Sequence, residues 1–220
     1  MQTKRILSTL QIIAVILTLS LLTACGGDGG GATGGTTGAP AGTVVTKVDP
    51  NDKNNYFAVI DGKKYSFYDD FTMQDLLDDG YTADPACDME REVKPGVYVG
   101  ESLFDINISM FKKGVEKYYF KAYPVNLTDA PVPLKDCNVY GIYFFNKEAN
   151  IKIAGGLTVG ITQKNFKDVF GEPGTKAEIP GYKDRYGANY TTADSYGVFS
   201  FEFTENPDEV KAIAVSYAPR

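Results

Sequence analysis

The sequence predicts an α+β domain in which short helices pack on one face of an antiparallel sheet. Three observations lead to this fold class. Apolar and aromatic runs of strand length recur between residues 54 and 220, and some are joined by turn-forming glycine pairs. Only two segments carry the cap, apolar face and terminal glycine of a helix. With 15 Tyr, 13 Phe and no Trp, we expect the aromatic residues mainly in the core and on the sheet faces.

The first two strands are predicted at residues 56–60 and 63–67. Both runs are rich in apolar and aromatic residues, and Asp61-Gly62 joins them. An Asp-Gly pair between such runs is typical of a two-residue hairpin, because both positions of that turn require a positive φ. We therefore expect an antiparallel hairpin.

The two predicted helices share one design. In the first, Thr72 is the N-cap and Gly80 ends the helix. A strand-like run at residues 151–159 precedes the second, in which Thr162 is the N-cap and Gly171 ends the helix.

Further strand-like runs follow each helix. We interpret the whole as two tandem copies of a strand–strand–helix–strands unit, over residues 54–137 and 138–220. The runs lie at residues 96–99, 103–111, 117–123 and 139–145 after the first helix, and at 182–191, 196–203 and 210–217 after the second.

Residues 1–24 have the pattern of a secretory signal peptide. Lys4 and Arg5 precede an apolar run over residues 6–22, and small residues follow it. The alternative is a retained transmembrane helix, because roughly 17 residues are enough for a minimal span. The residues that follow the run favour the signal peptide.

The apolar run ends in Leu22-Thr23-Ala24-Cys25. This resembles the lipobox of bacterial lipoproteins, in which a diacylglyceryl group is attached to the cysteine and a peptidase cuts before it. The resemblance implies cleavage after Ala24 and a lipid anchor on Cys25, at the extracytoplasmic side of the cell membrane. Two acyl chains suffice for stable anchoring, since each buried methylene contributes about 0.8 kcal/mol.

Residues 25–42 are a predicted flexible linker. Nine of these 18 residues are Gly, and none has a side chain that builds a core. Such a chain has a root-mean-square span of about 24 Å, which separates a folded domain at residues 43–220 from the lipid. No Lys or Arg occurs between residues 26 and 46, which argues against a phosphate-binding loop.

Composition excludes several functions. Without residues 1–24 the chain has 20 Lys and Arg against 28 Asp and Glu, a net charge of −8. That charge repels nucleic acid and anionic headgroups. The absence of His removes Ser-His-Asp and Cys-His catalysis and His-ligated zinc. We predict no catalytic residue, no metal site and no cofactor.

Two cysteines, Cys87 and Cys137, remain besides Cys25. In an exported protein they are candidates for a disulfide. The bridge would close a loop of about 50 residues and contribute roughly 4 kcal/mol in the chain-entropy model. Two separate buried thiols are the alternative.

Three segments carry chemically suggestive residues, and each has a simpler explanation. Ser109 and Lys112 match a Ser-x-x-Lys pattern, but the alternation around them predicts a strand with the two side chains on opposite faces. Residues 184–190 resemble a sugar-binding platform, and a strand with a glycine bulge is the favoured explanation. Acidic residues surround the first helix without the spacing of a calcium loop. They are Asp69, Asp70, Asp75, Asp78 and Asp79.

Residues 160–162 (Gly-Ile-Thr), the helix after them and residues 171–173 (Gly-Glu-Pro) resemble an element of small bacterial envelope lipoproteins. These include the outer-membrane assembly lipoprotein family and the tandem-repeat fold of beta-lactamase inhibitor protein. Residues 133–137 are similar to a stretch of uncharacterised Firmicutes lipoproteins. The resemblance implies a helix-plus-sheet fold that acts by protein contact, with an envelope or secreted protein as partner. The alternatives are a glycan- or metal-binding lipoprotein, a hydrolase-inhibitor-like protein and an enzyme.

Overall fold

The computed structural model describes residues 47–69, 71–99, 107–115, 119–179, 184–194, 196–205 and 207–218. In this part of the chain there are thirteen β-strands and two α-helices, α1 (Met73–Asp78) and α2 (Gln163–Phe170). The predicted α+β fold class, dominated by antiparallel sheet, is therefore confirmed. The predicted signal peptide, Cys25 and the linker lie outside the described residues. Neither α1 nor α2 is long and apolar enough to cross a membrane.

Eight of the described strands form one large sheet, and five form two small ones. In chain order they are β1 (Phe57–Ile60), β2 (Lys63–Ser66), β3 (Tyr81–Ala83), β4 (Glu92–Val93), β5 (Ile108–Lys112), β6 (Phe120–Val125), β7 (Val132–Pro133), β8 (Asn138–Phe144), β9 (Ile151–Ile153), β10 (Thr175–Glu178), β11 (Arg185–Thr191), β12 (Gly197–Glu205) and β13 (Asp208–Tyr217). The large sheet has the order β10-β11-β12-β13-β8-β6-β5-β3, and the small ones are β2-β1-β9 and β4-β7. Every one of these pairs is antiparallel.

The predicted hairpin is confirmed as β1 and β2. Ile60 is opposite Lys63, so two residues make the turn. The φ angle is 53° at Asp61 and 89° at Gly62, the positive values that a tight hairpin turn of this kind requires. On its other side β1 pairs with β9, which places the hairpin beside a strand almost a hundred residues later.

Both helices begin at the predicted caps. The Asp75 carboxylate accepts a hydrogen bond from the main-chain N–H of Thr72 at 2.8 Å, and the Thr72 hydroxyl oxygen accepts one from the N–H of Asp75. At α2, Asn165 Oδ1 accepts from the N–H of Thr162 at 3.1 Å. Because the first N–H groups of a helix lack partners within it, these bonds fix where each helix starts.

One face of the large sheet packs against the helices. The ring centroid of Phe166 on α2 lies 3.6 Å from that of Phe201 on β12. Phe201 is opposite Ile213, which in turn is opposite Phe144 on β8. All of these side chains are buried, and the apolar side of α1 belongs to the same buried cluster. This core therefore spans both halves of the sheet.

Strands β8 and β13 pair at the centre of the large sheet, and Gly141 is needed there. A Cβ atom at Gly141 would lie 2.5 Å from the carbonyl oxygen of Val215 and 2.5 Å from Cβ of Ser216. Such distances are too short for non-bonded atoms, so a side chain at this position would push the two strands apart.

Three predicted strands differ from the structure. Residues 96–99 make only an isolated bridge to β6, because the chain turns at Gly96, where φ is 70°. Within residues 151–159 only β9 is a strand, since two glycines with a φ of 73° turn the chain after it. The predicted strand at 103–111 is described from residue 107 onward, and β5 covers its end.

Candidate protein-binding surface

Two of the most exposed large apolar side chains in the described part of the chain lie on adjoining segments. Val97 and Leu127 are each 43% exposed. The N–H of Asn126 donates to the carbonyl of Val97 at 3.2 Å, and the N–H of Gly96 donates to the carbonyl of Asn126 at 2.8 Å. These bonds join the main chains of the two segments, so Val97 and Leu127 are exposed on adjoining segments. We call Val97, Tyr98 and Leu127 the Val97–Leu127 patch.

Asn126 holds the loop that presents Leu127. Its side chain is fully buried, and its amide nitrogen donates to the carbonyls of Val93 at 2.7 Å and Ala130 at 2.8 Å. Its amide oxygen accepts from the N–H of Thr128 at 2.9 Å and from the Thr128 hydroxyl at 2.8 Å. Both donors and the acceptor are thus satisfied, as a buried amide requires. The exposure of Leu127 is therefore imposed by a buried network.

A layer of tyrosines supports the patch. The ring of Tyr98 meets that of Tyr140 edge-on at 5.1 Å, and Tyr123 stacks on Tyr140 at 5.6 Å. Tyr140 is buried but does not belong to the main core. Burial raises the pKa of the Tyr140 and Tyr98 hydroxyls above the ordinary value, so both are neutral phenols near pH 7. Rings of this kind offer apolar contact with a polar tip, which is why tyrosine is enriched at protein interfaces.

The surface was not predicted from the sequence. The sequence pattern predicts a strand at Val97 and no motif at Leu127. The sequence signal for this loop is weak. Thr128 comes two residues after Asn126, and turn-forming residues follow it. In such a pattern an Asn side chain often bonds to the main chain two residues later. That pattern predicts a tight loop at Asn126. It does not predict that the side chain of the next residue, Leu127, is exposed.

The Ser-x-x-Lys residues lie on a strand, as predicted. Ser109 and Lys112 both belong to β5. Ser109 is buried, whereas the Lys112 ammonium forms an ion pair with Asp61 at 2.8 Å. The arrangement of one helical turn that lets a lysine take the serine proton is absent from β5.

Two of the acidic residues around α1 have structural partners. Asp75 belongs to the cap of α1. Asp79 accepts a hydrogen bond from the Tyr65 hydroxyl at 2.5 Å and pairs with Lys63. Asp70 lies outside the described residues. Among the residues that the structure describes, no group of three or more His, Cys, Asp or Glu is placed to hold a metal ion.

The segment at residues 184–190 forms most of β11. Tyr190 is buried, stacks on Phe170 at 5.0 Å and donates its hydroxyl to the carbonyl of Gly171 at 2.7 Å. A ring in that position is not available to stack on a sugar. The pairing with β12 runs without a shift past Gly187, so the predicted glycine bulge is wrong.

Cys137 is a buried thiol in this structure. Its sulfur donates a weak hydrogen bond to the carbonyl of Pro133 at 3.8 Å, and burial raises its pKa to about 11. Cys87 packs partly buried against the same core. The disulfide between Cys87 and Cys137 stays a prediction for the oxidised protein.

Comparison with known proteins adds no relative. No protein-family model matches the chain, and no curated protein or solved structure matches it either.

Proposed function

We propose that this chain is a lipoprotein held at the extracytoplasmic side of the cell membrane by a lipid on Cys25. In this proposal the domain at residues 43–220 is a non-catalytic protein-interaction module. Its partner is an envelope or secreted protein. The support for the anchor is the basic start, the apolar run and the four residues that end in Cys25.

The observation that carries the binding role is the Val97–Leu127 patch. Exposed apolar side chains are ordinary when scattered singly, but here two lie on adjoining, hydrogen-bonded segments, and Tyr98 beside Val97 packs on Tyr140. The buried Asn126 network keeps the loop in one shape. A rigid apolar surface binds a partner at a lower entropy cost than a flexible one.

We also propose that the domain is a tandem repeat, with the division after β8 rather than at residue 138. Strands β3, β5, β6 and β8 follow α1, and strands β10 to β13 follow α2. In the large sheet the two sets lie on opposite sides of the centre. The last strand of each set, β8 and β13, is at the centre, where the two pair, and the earlier strands of each set lie further out. The pairing of β8 with β6 supports assigning β8 to the first set in this proposal.

The experiment is site-specific photocrosslinking in intact cells. A photoreactive amino acid at position 127 should give a crosslinked band with one partner, and the substitution Val97→Asp should abolish that band. The matched control carries the same crosslinker at Tyr68, which is exposed to 46% elsewhere on the surface and should not give the band. Absence of a band at position 127, or a band that persists with Val97→Asp, refutes the proposed surface.

A further inference from the structure

One edge of the large sheet is a short strand of exposed residues. In the part of the chain that the structure describes, β10 is at the end of that sheet and pairs only with β11. All four residues of β10 are exposed. The outer side of an edge strand carries main-chain N–H and C=O groups that another strand can pair with.

The register with β11 identifies which main-chain groups of β10 point away from the sheet. The N–H of Ile179 donates to the carbonyl of Arg185 at 2.9 Å, so the main-chain groups of Ile179 face β11. The direction of these groups alternates along an antiparallel pair, so those of Ala177 also face β11. The N–H and C=O groups of Lys176 and Glu178 therefore point outward, and the outer edge of β10 offers two donors and two acceptors.

Two copies of β10 are complementary to each other in one antiparallel register. If Ala177 of one copy lies opposite Ala177 of the other, Lys176 of each copy lies opposite Glu178 of the other. The outward main-chain groups of these residues then form hydrogen-bonded pairs, and the facing side chains have opposite charges. The neighbouring registers place Lys176 opposite Lys176 or Glu178 opposite Glu178, and like charges directly opposite each other are unfavourable.

The ion pair that Lys176 already forms is compatible with this register. Its ammonium pairs with Glu205 at 2.5 Å, and its side chain is 41% exposed. Because an ammonium has three donors, Glu178 of a second copy can approach it while Glu205 stays in place. Charged residues on an edge strand commonly prevent pairing with other strands. Here they disfavour a strand of unmatched charge and permit a second copy of β10.

We propose that β10 is an interface between two copies of this chain, which join their large sheets into one continuous sheet. A two-fold axis at Ala177 relates the copies, so the same surface serves both, as is usual in homodimers. A pairing of four residues buries less than the roughly 1,000 Å² of a stable interface, so the dimer is weak and reversible. The interface is distinct from the Val97–Leu127 patch, because the two share no residue.

Cysteine crosslinking in intact cells tests the register. The two Ala177 residues form a non-hydrogen-bonded pair with Cα atoms about 4.5 Å apart, which is within the range of a disulfide. Ala177→Cys should therefore give a dimer band after mild oxidation, and the wild type, which has three cysteines, should not. Thr175→Cys is the matched control. Its counterpart in the second copy lies about 13 Å away along the strand, so it should give no such band.

Charge substitutions in the Ala177→Cys chain test the same interface with opposite signs. Glu178→Lys places lysine opposite lysine and should weaken the band at least about fivefold, as should Lys176→Glu, which places glutamate opposite glutamate. Cells that express both variants with different epitope tags should regain a band that contains both tags, because each facing pair then has opposite charges. Glu148→Lys, the same charge change at an exposed residue of a turn outside β10, should leave the band unchanged.

The expected dimer band contains two copies of this chain and nothing else. The proposal is overturned if Ala177→Cys gives no dimer band, or if the crosslinked partner is another protein. It is also overturned if Thr175→Cys crosslinks as strongly as Ala177→Cys, or if the two charge variants together do not restore the band.

Discussion

The carboxylate of Asp61 accepts a hydrogen bond from the hydroxyl of Tyr81, twenty residues later, at 2.6 Å. Its second oxygen accepts from the Tyr119 hydroxyl at 3.0 Å and pairs with Lys112 at 2.8 Å. The Tyr119 hydroxyl in turn accepts from the N–H of Asn150 at 2.7 Å. Asp61 is in the turn of the hairpin, whereas Tyr81 is on β3, at one edge of the large sheet, and Lys112 is on β5, the strand next to it. This cluster therefore ties the two sheets together.

Tyr81→Phe should lower the free energy of unfolding by about 1–2 kcal/mol, because Asp61 loses a donor while it stays partly buried. Urea denaturation of the variant and the wild type gives the difference. Tyr68→Phe is the matched control, since Tyr68 is exposed, and it should change stability by less than about 0.5 kcal/mol. Equal effects of the two substitutions would show that the Asp61 cluster does not stabilise the fold.

Asp61→Asn should remove part of the acid sensitivity of the fold. Burial by itself would raise the pKa of Asp61, but the hydrogen bonds from Lys112, Tyr81 and Tyr119 outweigh it and hold the pKa below the ordinary value. A carboxyl whose pKa is lower when folded adds stability that is fully present above its unfolded pKa of about 3.9. This stability is lost as the pH falls through the folded pKa.

The stability difference between wild type and Asp61→Asn should accordingly shrink between pH 6 and pH 2.5 in parallel urea titrations. Asn is accepted at a positive φ in a two-residue turn, so the substitution leaves the hairpin geometry intact. A difference that stays constant over this pH range contradicts the role assigned to the ionised carboxylate.

Gly141→Ala should destabilise the protein by at least about 2 kcal/mol, because the new methyl group would overlap main-chain atoms of β13 and force the central strands apart. Gly174→Ala is the control. A Cβ atom at Gly174 would have its nearest neighbour at 3.7 Å, the carbonyl oxygen of Asn189, so that substitution should change stability by less than about 1 kcal/mol. Thermal or urea unfolding of both variants tests the comparison.

Local sequence patterns predicted the local structure well. Asp61-Gly62 predicted the hairpin, and Thr72 and Thr162 predicted both helix starts, because a turn or a cap is decided by a few neighbouring residues. Pairings between distant segments were not predictable in this way. The contact of β1 with β9 and that of β8 with β13 depend on packing across the whole core.

The candidate protein-binding surface is not predictable from the sequence for the same reason. Leu127 is exposed because Asn126 is bonded to Val93 and Ala130, and the sequence does not state that these residues meet.

Cys137 should be less reactive than an ordinary thiol. In the reduced, folded protein, Cys137 should resist alkylation at pH 8, because burial raises its pKa to about 11 and the thiolate is the reactive form. Unfolding in urea should restore ordinary reactivity, and mass spectrometry of the labelled peptide measures both rates. Rapid labelling of Cys137 in the folded protein contradicts its buried position.

A thiol count of the mature protein, unfolded without reductant, tests the predicted disulfide separately. Lipidation would consume the thiol of Cys25, so a bridge between Cys87 and Cys137 leaves no titratable thiol. Two thiols in this assay refute the bridge. A value near two in reduced samples confirms that the reagent reaches both sites.

Cys25→Ser should release the domain from the membrane or leave an uncut precursor, because serine offers no thiol for the diacylglyceryl group. Cell fractionation alone does not separate these outcomes, since an uncut apolar run over residues 6–22 still partitions into lipid. N-terminal sequencing and labelling with a radioactive fatty acid are therefore read together with fractionation. Wild type should start at Cys25 and carry label, whereas Cys87→Ser, the matched control, should behave as wild type. Normal cleavage and unchanged membrane partitioning of Cys25→Ser would rule out the lipid anchor and with it the proposed location.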